Sequence, residues 1–166
     1  MKKSLVFLLL ACLAAPAFSQ STDWPCWRGS NHDGVSTETD WNPEALKGGA
    51  KVLWTVNIGF GYSNIAIAKG RIYAMGLDGK TSNVAVHCLD AATGKAIWSN
   101  GAPGSIGFGD STPAVDGDRM YGLSSFGSLF CLDAATGALK WRKSLGGDYD
   151  VQPKAGHWYG WATSCG

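Results

Sequence analysis

From residue 52 onward the hydrophobic positions come in short runs at strand spacing. In "NVAVHCL" (83–89), Val84, Val86 and Cys88 fall on one face and Ala85, His87 and Leu89 on the other, the period-two arrangement of a β-strand. "RIYAM" (71–75) and "RMYGL" (119–123) are also short and rich in β-branched and aromatic residues. Both faces of these runs are mostly apolar, so each small sheet is predicted to be covered on both sides. Glycine-rich stretches such as "GAPGSIGFGD" (101–110) separate the runs, and no stretch after the first 19 residues sustains helical periodicity. The pattern predicts an all-β chain.

The runs repeat. "CLDAATGKAIW" (88–98) returns 43 residues later as "CLDAATGALKW" (131–141), and Trp54, Trp98 and Trp141 are separated by 44 and 43 residues. "AIAKGRIYAMG" (66–76) matches "AVDGDRMYGLS" (114–124) at an offset of 48, so the first unit carries five extra residues, which "LDGKTSN" (77–83) would hold as a longer turn. A period of this length marks an architectural unit rather than a catalytic loop. The units are residues 55–98 and 99–141, followed by an unfinished one, 142–166.

The repeated letters describe a turn. Asp90 and Asp133 can accept hydrogen bonds from backbone N–H groups just ahead, Thr93 and Thr136 can do so more weakly, and Gly94 and Gly137 can take positive φ. Each copy therefore predicts a tight hairpin. The strand after it carries a tryptophan, a large apolar plate with one N–H to satisfy.

On these residues the chain resembles the pyrroloquinoline quinone (PQQ) type β-propellers. Their tryptophan-docking motif, Ala-x-Asp-x-x-Thr-Gly-x-x-x-Trp, is matched by Asp90, Thr93, Gly94, Trp98 and by Asp133, Thr136, Gly137, Trp141, with Cys88 and Cys131 replacing the first Ala. "DWPCWRGSNHDGVS" (23–36) also resembles the start of secreted PQQ-like repeat proteins. The resemblance implies antiparallel four-stranded blades, here about two full blades with flanking strands in residues 52–166, an incomplete propeller. It also implies a docking geometry. Trp98 would pack on Cys88 and Gly137 and donate to the Ala134 carbonyl, Trp54 would do the same with Gly94 and Ala91, and Trp141 would be the most exposed of the three.

The opening "MKKSLVFLLLACLAAPAFSQ" has two lysines, an apolar run and small residues, the layout of a signal peptide over residues 1–19. Ala17-Phe18-Ser19 fits simple secretion. Leu9-Leu10-Ala11-Cys12 resembles a lipobox with a lipid anchor at Cys12, but Leu10 is atypical there and the following segment stays apolar. Export to a periplasmic or extracellular space follows from both readings, and the run is too short for a membrane span. The excess of one positive charge becomes slightly negative once Lys2 and Lys3 are removed. No basic block remains to bind nucleic acid. Export permits disulfides, but Cys88 and Cys131 hold equivalent places in two repeats and read as small buried residues, a disulfide between them being the lesser alternative. No ligand spacing points to a metal.

Features present in both repeats belong to the scaffold. "GFGYSN" (59–64) and "GFGDST" (107–112) resemble a phosphate loop only in part and precede no helix, so they read as inter-blade connections. Asp110-Ser111 has no nearby His and is no catalytic triad. Unrepeated segments are where a ligand surface could lie. His157, Trp158, Tyr159 and Trp161 are the candidates between blades. Trp24, Trp27, Arg28 and Trp41 read as anchors of an N-terminal segment, 20–51, with carbohydrate stacking as the alternative. The family resemblance implies two functions. One is a non-catalytic binding or assembly scaffold with protein or polysaccharide partners, similar to the propeller lipoproteins of outer-membrane barrel assembly. The other is a quinoprotein alcohol or sugar dehydrogenase using PQQ and calcium. No adjacent cysteine pair of the enzyme type occurs in this sequence, which favours the scaffold and leaves this chain with neither catalytic nor cofactor residues.

Overall fold

The structure, a computed structural model, describes residues 22–150 except 82, 107, 108 and 110, with the backbone alone for 102–106. The segment 1–19 and His157, Trp158, Tyr159 and Trp161 lie outside the described residues. Two four-stranded antiparallel sheets follow one another along the chain. Blade 1 has the order β1 (Ala66–Ala68), β2 (Arg71–Leu77), β3 (Asn83–Asp90) and β4 (Ala96–Ile106). Blade 2 repeats it with β5 (Ala114–Asp116), β6 (Arg119–Leu123), β7 (Ser128–Asp133) and β8 (Leu139–Ser144).

Equivalent residues pair equivalently. Tyr73 faces Cys88 and Cys88 faces Trp98 in blade 1, as Tyr121 faces Cys131 and Cys131 faces Trp141 in blade 2. Both outer strands also slip at the same place: after the Cys–Trp pair, Leu89 pairs with Ala96 and Leu132 with Leu139. Ile97 and Lys140 are thus the extra residues of a β-bulge, which bends the strand just before its tryptophan. The five additional residues of the first repeat do not form a longer turn alone. They lengthen β2 and β3 by two residues each and the turn by one relative to β6 and β7, so most of the insertion is paired and satisfies its own backbone groups.

The core lies between the sheets. Tyr73, Met75, Val84, Val86 and Cys88 of blade 1 cluster with Met120, Phe130 and Leu132 of blade 2. The approach is close enough that a Cβ on Gly122 would stand 2.4 Å from the Phe130 ring and 2.8 Å from Met75 Sδ. Each large side chain fully buried there contributes about 1.5–3 kcal/mol. Cys88 and Cys131 are buried free thiols.

The segment before blade 1 is held by its backbone. Trp24 and Ile67 exchange two N–H···O bonds of 2.8 Å, Pro25 O accepts from Val115 N at 2.8 Å, and the Asp23 carboxylate accepts from Lys69 N at 2.9 Å. Residues 23–25 therefore join β1 of one blade to β5 of the other. The anchoring expected of Trp41 is not found: its side chain is 64% exposed, because residues 36–42 run free of any sheet and lead only into a 3₁₀ turn, Pro43–Leu46. A second short helix unforeseen in the sequence, α1 (Leu145–Tyr149), follows β8 and is capped by Ser144 Oγ, which accepts from Gly147 N at 3.1 Å.

Candidate functional site: the junction between the blades

Each repeated turn folds through its own side chains. Asp90 Oδ1 accepts from Thr93 N at 2.9 Å and from Thr93 Oγ1 at 2.6 Å, and Gly94 N donates to Asp90 O at 2.9 Å. In the second copy Asp133 Oδ1 accepts from Ala135 N, Thr136 N and Thr136 Oγ1 at 3.0, 3.0 and 2.9 Å. Gly94 and Gly137 have φ of 68° and 74°, the left-handed region that favours glycine. Hydrogen bonds from Thr93 hold the Asp90 carboxyl below the usual range. Asp133 goes further, to about 2, chiefly through Lys140 and then Thr136. The difference traces to the bulge, where Lys140, 3.1 Å from the Asp133 carboxylate, stands in the place of Ile97.

A tryptophan covers each of these glycines. A Cβ on Gly94 would lie 2.5 Å from the Trp54 ring, and one on Gly137 would lie 2.6 Å from Trp98. Trp98 Nε1 donates to Ala134 O at 3.2 Å. That carbonyl also accepts from Tyr73 Oη at 3.1 Å and Arg71 Nη1 at 3.4 Å, while Asn100 Nδ2 donates to Gly137 O at 2.7 Å. Four side chains of blade 1 thus close on one turn of blade 2. Trp54 makes no matching bond to Ala91 among the described residues: its own segment, 51–58, belongs to no sheet that would set the ring's height. Trp141 is 38% exposed.

Tyr73, Arg71 and Asn100 were not singled out in the sequence as junction residues. For two of them a signal existed, since "RIY" and "RMY" place Arg71 and Tyr73 at the same repeat positions as Arg119 and Tyr121. Asn100 has no such counterpart. Burial raises the Tyr73 hydroxyl and the Cys88 and Cys131 thiols above their ordinary values, so these groups stay protonated and unreactive near neutral pH. Ser111 is also structural: its Oγ donates to Leu123 O at 2.7 Å and accepts from Leu123 N at 3.2 Å. The glycine loops come together as expected of connections, Gly61 bridging Gly109 in parallel. No three His, Cys, Asp or Glu side chains among the described residues stand close enough to hold a metal ion. The junction carboxylates are spent on threonine and lysine, a donor set that does not fit calcium.

A family model described as outer membrane protein assembly factor BamB matches residues 82–155. Among solved structures, a quinohemoprotein alcohol dehydrogenase from Comamonas testosteroni is similar at 20% identity with a TM-score of 0.57, over 76% of this chain and 20% of that one. BamB from Moraxella catarrhalis is similar at 24% identity with a TM-score of 0.35, over 52% of this chain and 23% of that one. The chain therefore spans about a fifth of the length of the dehydrogenase. No curated protein sequence matches it. A unit that folds twice into the same four-stranded sheet, with the assembly-factor model running from the third strand of the first copy through the whole of the second and a quinoprotein sharing the fold, is a blade, and the chain has the fold of an incomplete PQQ-type β-propeller.

Proposed function

We propose that this chain is part of an exported β-propeller that serves as a non-catalytic scaffold for protein partners. The observation that carries the reading is the use of the repeated groups: the aspartates, threonines and glycines hold turns, and Trp98, Tyr73 and Arg71 converge on one carbonyl. In this reading the repeated tryptophans dock one blade on the next, and the propeller's surface is left for recognition. The match to an assembly factor's family model supports it, and the apolar leader with its two lysines supports a periplasmic or secreted location.

The fold likeness to a quinohemoprotein alcohol dehydrogenase supports a second reading, an alcohol or sugar dehydrogenase whose PQQ and calcium are held outside the described residues. One pair of measurements separates the two. A photo-crosslinking residue placed at exposed Phe126 in the exported protein is expected to give a discrete protein adduct. Reconstitution with PQQ and calcium is expected to give no dye reduction with ethanol or glucose. Dye reduction would replace the scaffold by the enzyme.

A further inference from the structure

Where residues 24–34 fold against β1, they line an open cavity of about 380 Å³. Its wall is formed by Trp24, Trp27, Ile65 and Ile67, with Arg28 and Asn64 as its polar members. The wall is preformed. Trp24 is tied to Ile67 by two backbone bonds of 2.8 Å, and Gly29 lies so close under the indole that a Cβ there would be 2.8 Å from the ring.

Arg28 is held at a left-handed φ of 64° by the 2.9 Å bond from Gly34 N to its carbonyl. Its Nη2 donates to the backbone carbonyl of Asp33 at 3.0 Å. No carboxylate pairs with this guanidinium among the described residues, so the rest of its planar fork is available. No acidic side chain among the described residues lines the cavity. A smaller cavity of about 280 Å³ shares Trp24 but is otherwise lined by Val35 and polar residues, Asp23, Ser30, Ser36 and Thr37 among them, and it has an acid in place of the cation.

We propose that the larger cavity binds a small planar organic anion, a carboxylate carried on an aromatic ring. Indole faces and branched aliphatic side chains favour a flat apolar body. A guanidinium beside them selects a carboxylate, which it meets with two parallel hydrogen bonds. A cation would meet the charge of Arg28 with no acid to offset it. The site is built by the N-terminal segment, β1 and the residues leading into it, and it stands independently of the scaffold reading.

Calorimetric titration of the purified chain with 2-naphthoate tests this. The expected Kd is on the order of 0.1–1 mM, with 2-naphthamide, which lacks the charge, and acetate, which lacks the ring, each at least about tenfold weaker. Arg28→Gln is expected to weaken naphthoate about tenfold and Arg28→Lys by less, because lysine keeps the charge but loses the fork. Trp27→Ala should weaken naphthoate and leave the preference for it over the amide intact. Circular dichroism and the thermal midpoint establish that each variant is folded. Should Arg28→Gln not fold, Arg28→Lys and the three ligands decide. Absence of binding up to about 10 mM, equal affinity for the amide, or undiminished affinity in folded Arg28→Gln would overturn the site.

Discussion

Trp98 and Trp141 end two copies of one motif. Each sits opposite an equivalent cysteine and 6.1 Å from an equivalent tyrosine, with the rings tilted at 58° and 52°. Their surroundings differ: Trp98 is partly buried with its N–H bonded to Ala134, while Trp141 is 38% exposed. The motif therefore sets how a tryptophan leaves its own sheet, and the following turn decides how much of it is removed from water. Position within a repeat fixes geometry; position along the array fixes energy.

Replacing both tryptophans breaks this comparison most directly. Trp98→Ala should cost about 2–4 kcal/mol in urea unfolding, somewhat below a fully buried tryptophan because the ring keeps an exposed edge. Trp141→Ala should cost about 1 kcal/mol or less. Equal losses would mean that the following turn contributes nothing. Gly137→Ala comes next, at about 2 kcal/mol, from strain at positive φ and from collision with the Trp98 ring. In a Trp98→Ala background the collision vanishes and the cost should fall to about 1 kcal/mol, the backbone part alone. A double-mutant cycle measures the difference.

A second pair of equivalent residues gives a smaller, pH-dependent effect. Phe130 is wholly buried in the core, whereas its counterpart His87 is half-buried, with Nδ1 2.9 Å from Ser99 Oγ. Burial lowers the His87 pKa below 6.5. The unfolded chain therefore takes up the proton first, and stability falls as the pH drops below 6.5 toward the folded value. His87→Phe should flatten the urea midpoint between about pH 7 and 5; an unchanged slope would assign the effect to another group.

The smallest effect belongs to the turns. Lys140→Ile gives blade 2 the residue of blade 1, and the Asp133 carboxyl should rise from about 2 toward the milder depression of Asp90, as followed by carboxyl NMR titration. Asp133 titrates below its ordinary 3.8, so its stabilisation is full above that value and is lost as the pH falls toward 2. The variant should shorten that acid window and barely move the midpoint at neutral pH. An Asp133 pKa that stays at about 2 would assign the depression to Thr136 alone.

The turns and their glycines were legible because their chemistry is local: Asp, Thr and Gly within five residues of one another specify the fold of those residues. The partner of Trp98 was legible only because the motif occurs twice and its family gives the docking geometry. What stayed hidden depends on pairing between distant backbones. One residue out of register at Ile97 or Lys140 leaves the letters of the motif unchanged. The insertion in the first repeat looked like loop because "DGKTS" is polar, yet the flanking residues extend a ladder. The bonds of Trp24 and Pro25 involve no distinctive side-chain chemistry. In "LGGDY" two glycines mask a helical turn that Ser144 stabilises, its N–H also donating to Asp148 Oδ2 at 2.8 Å. The cavity beside Arg28 was likewise out of reach, since its wall joins residues from both ends of that pairing.

That pairing has a consequence for the order of assembly. Each blade can form from neighbouring hairpins, whose contacts are close in sequence and fast to find. Asp23 and Trp24 can take their places once β1 exists, but Pro25 cannot until β5 does, with all of blade 1 lying between Pro25 and Val115 in the chain. During synthesis Pro25 emerges before either blade yet settles after both. Until these bonds form, the inner edges at Ile67 and then Val115 present unpaired backbone groups, so the stepwise closing of the N-terminal segment ends an interval in which the nascent protein is open to pairing with the wrong strand.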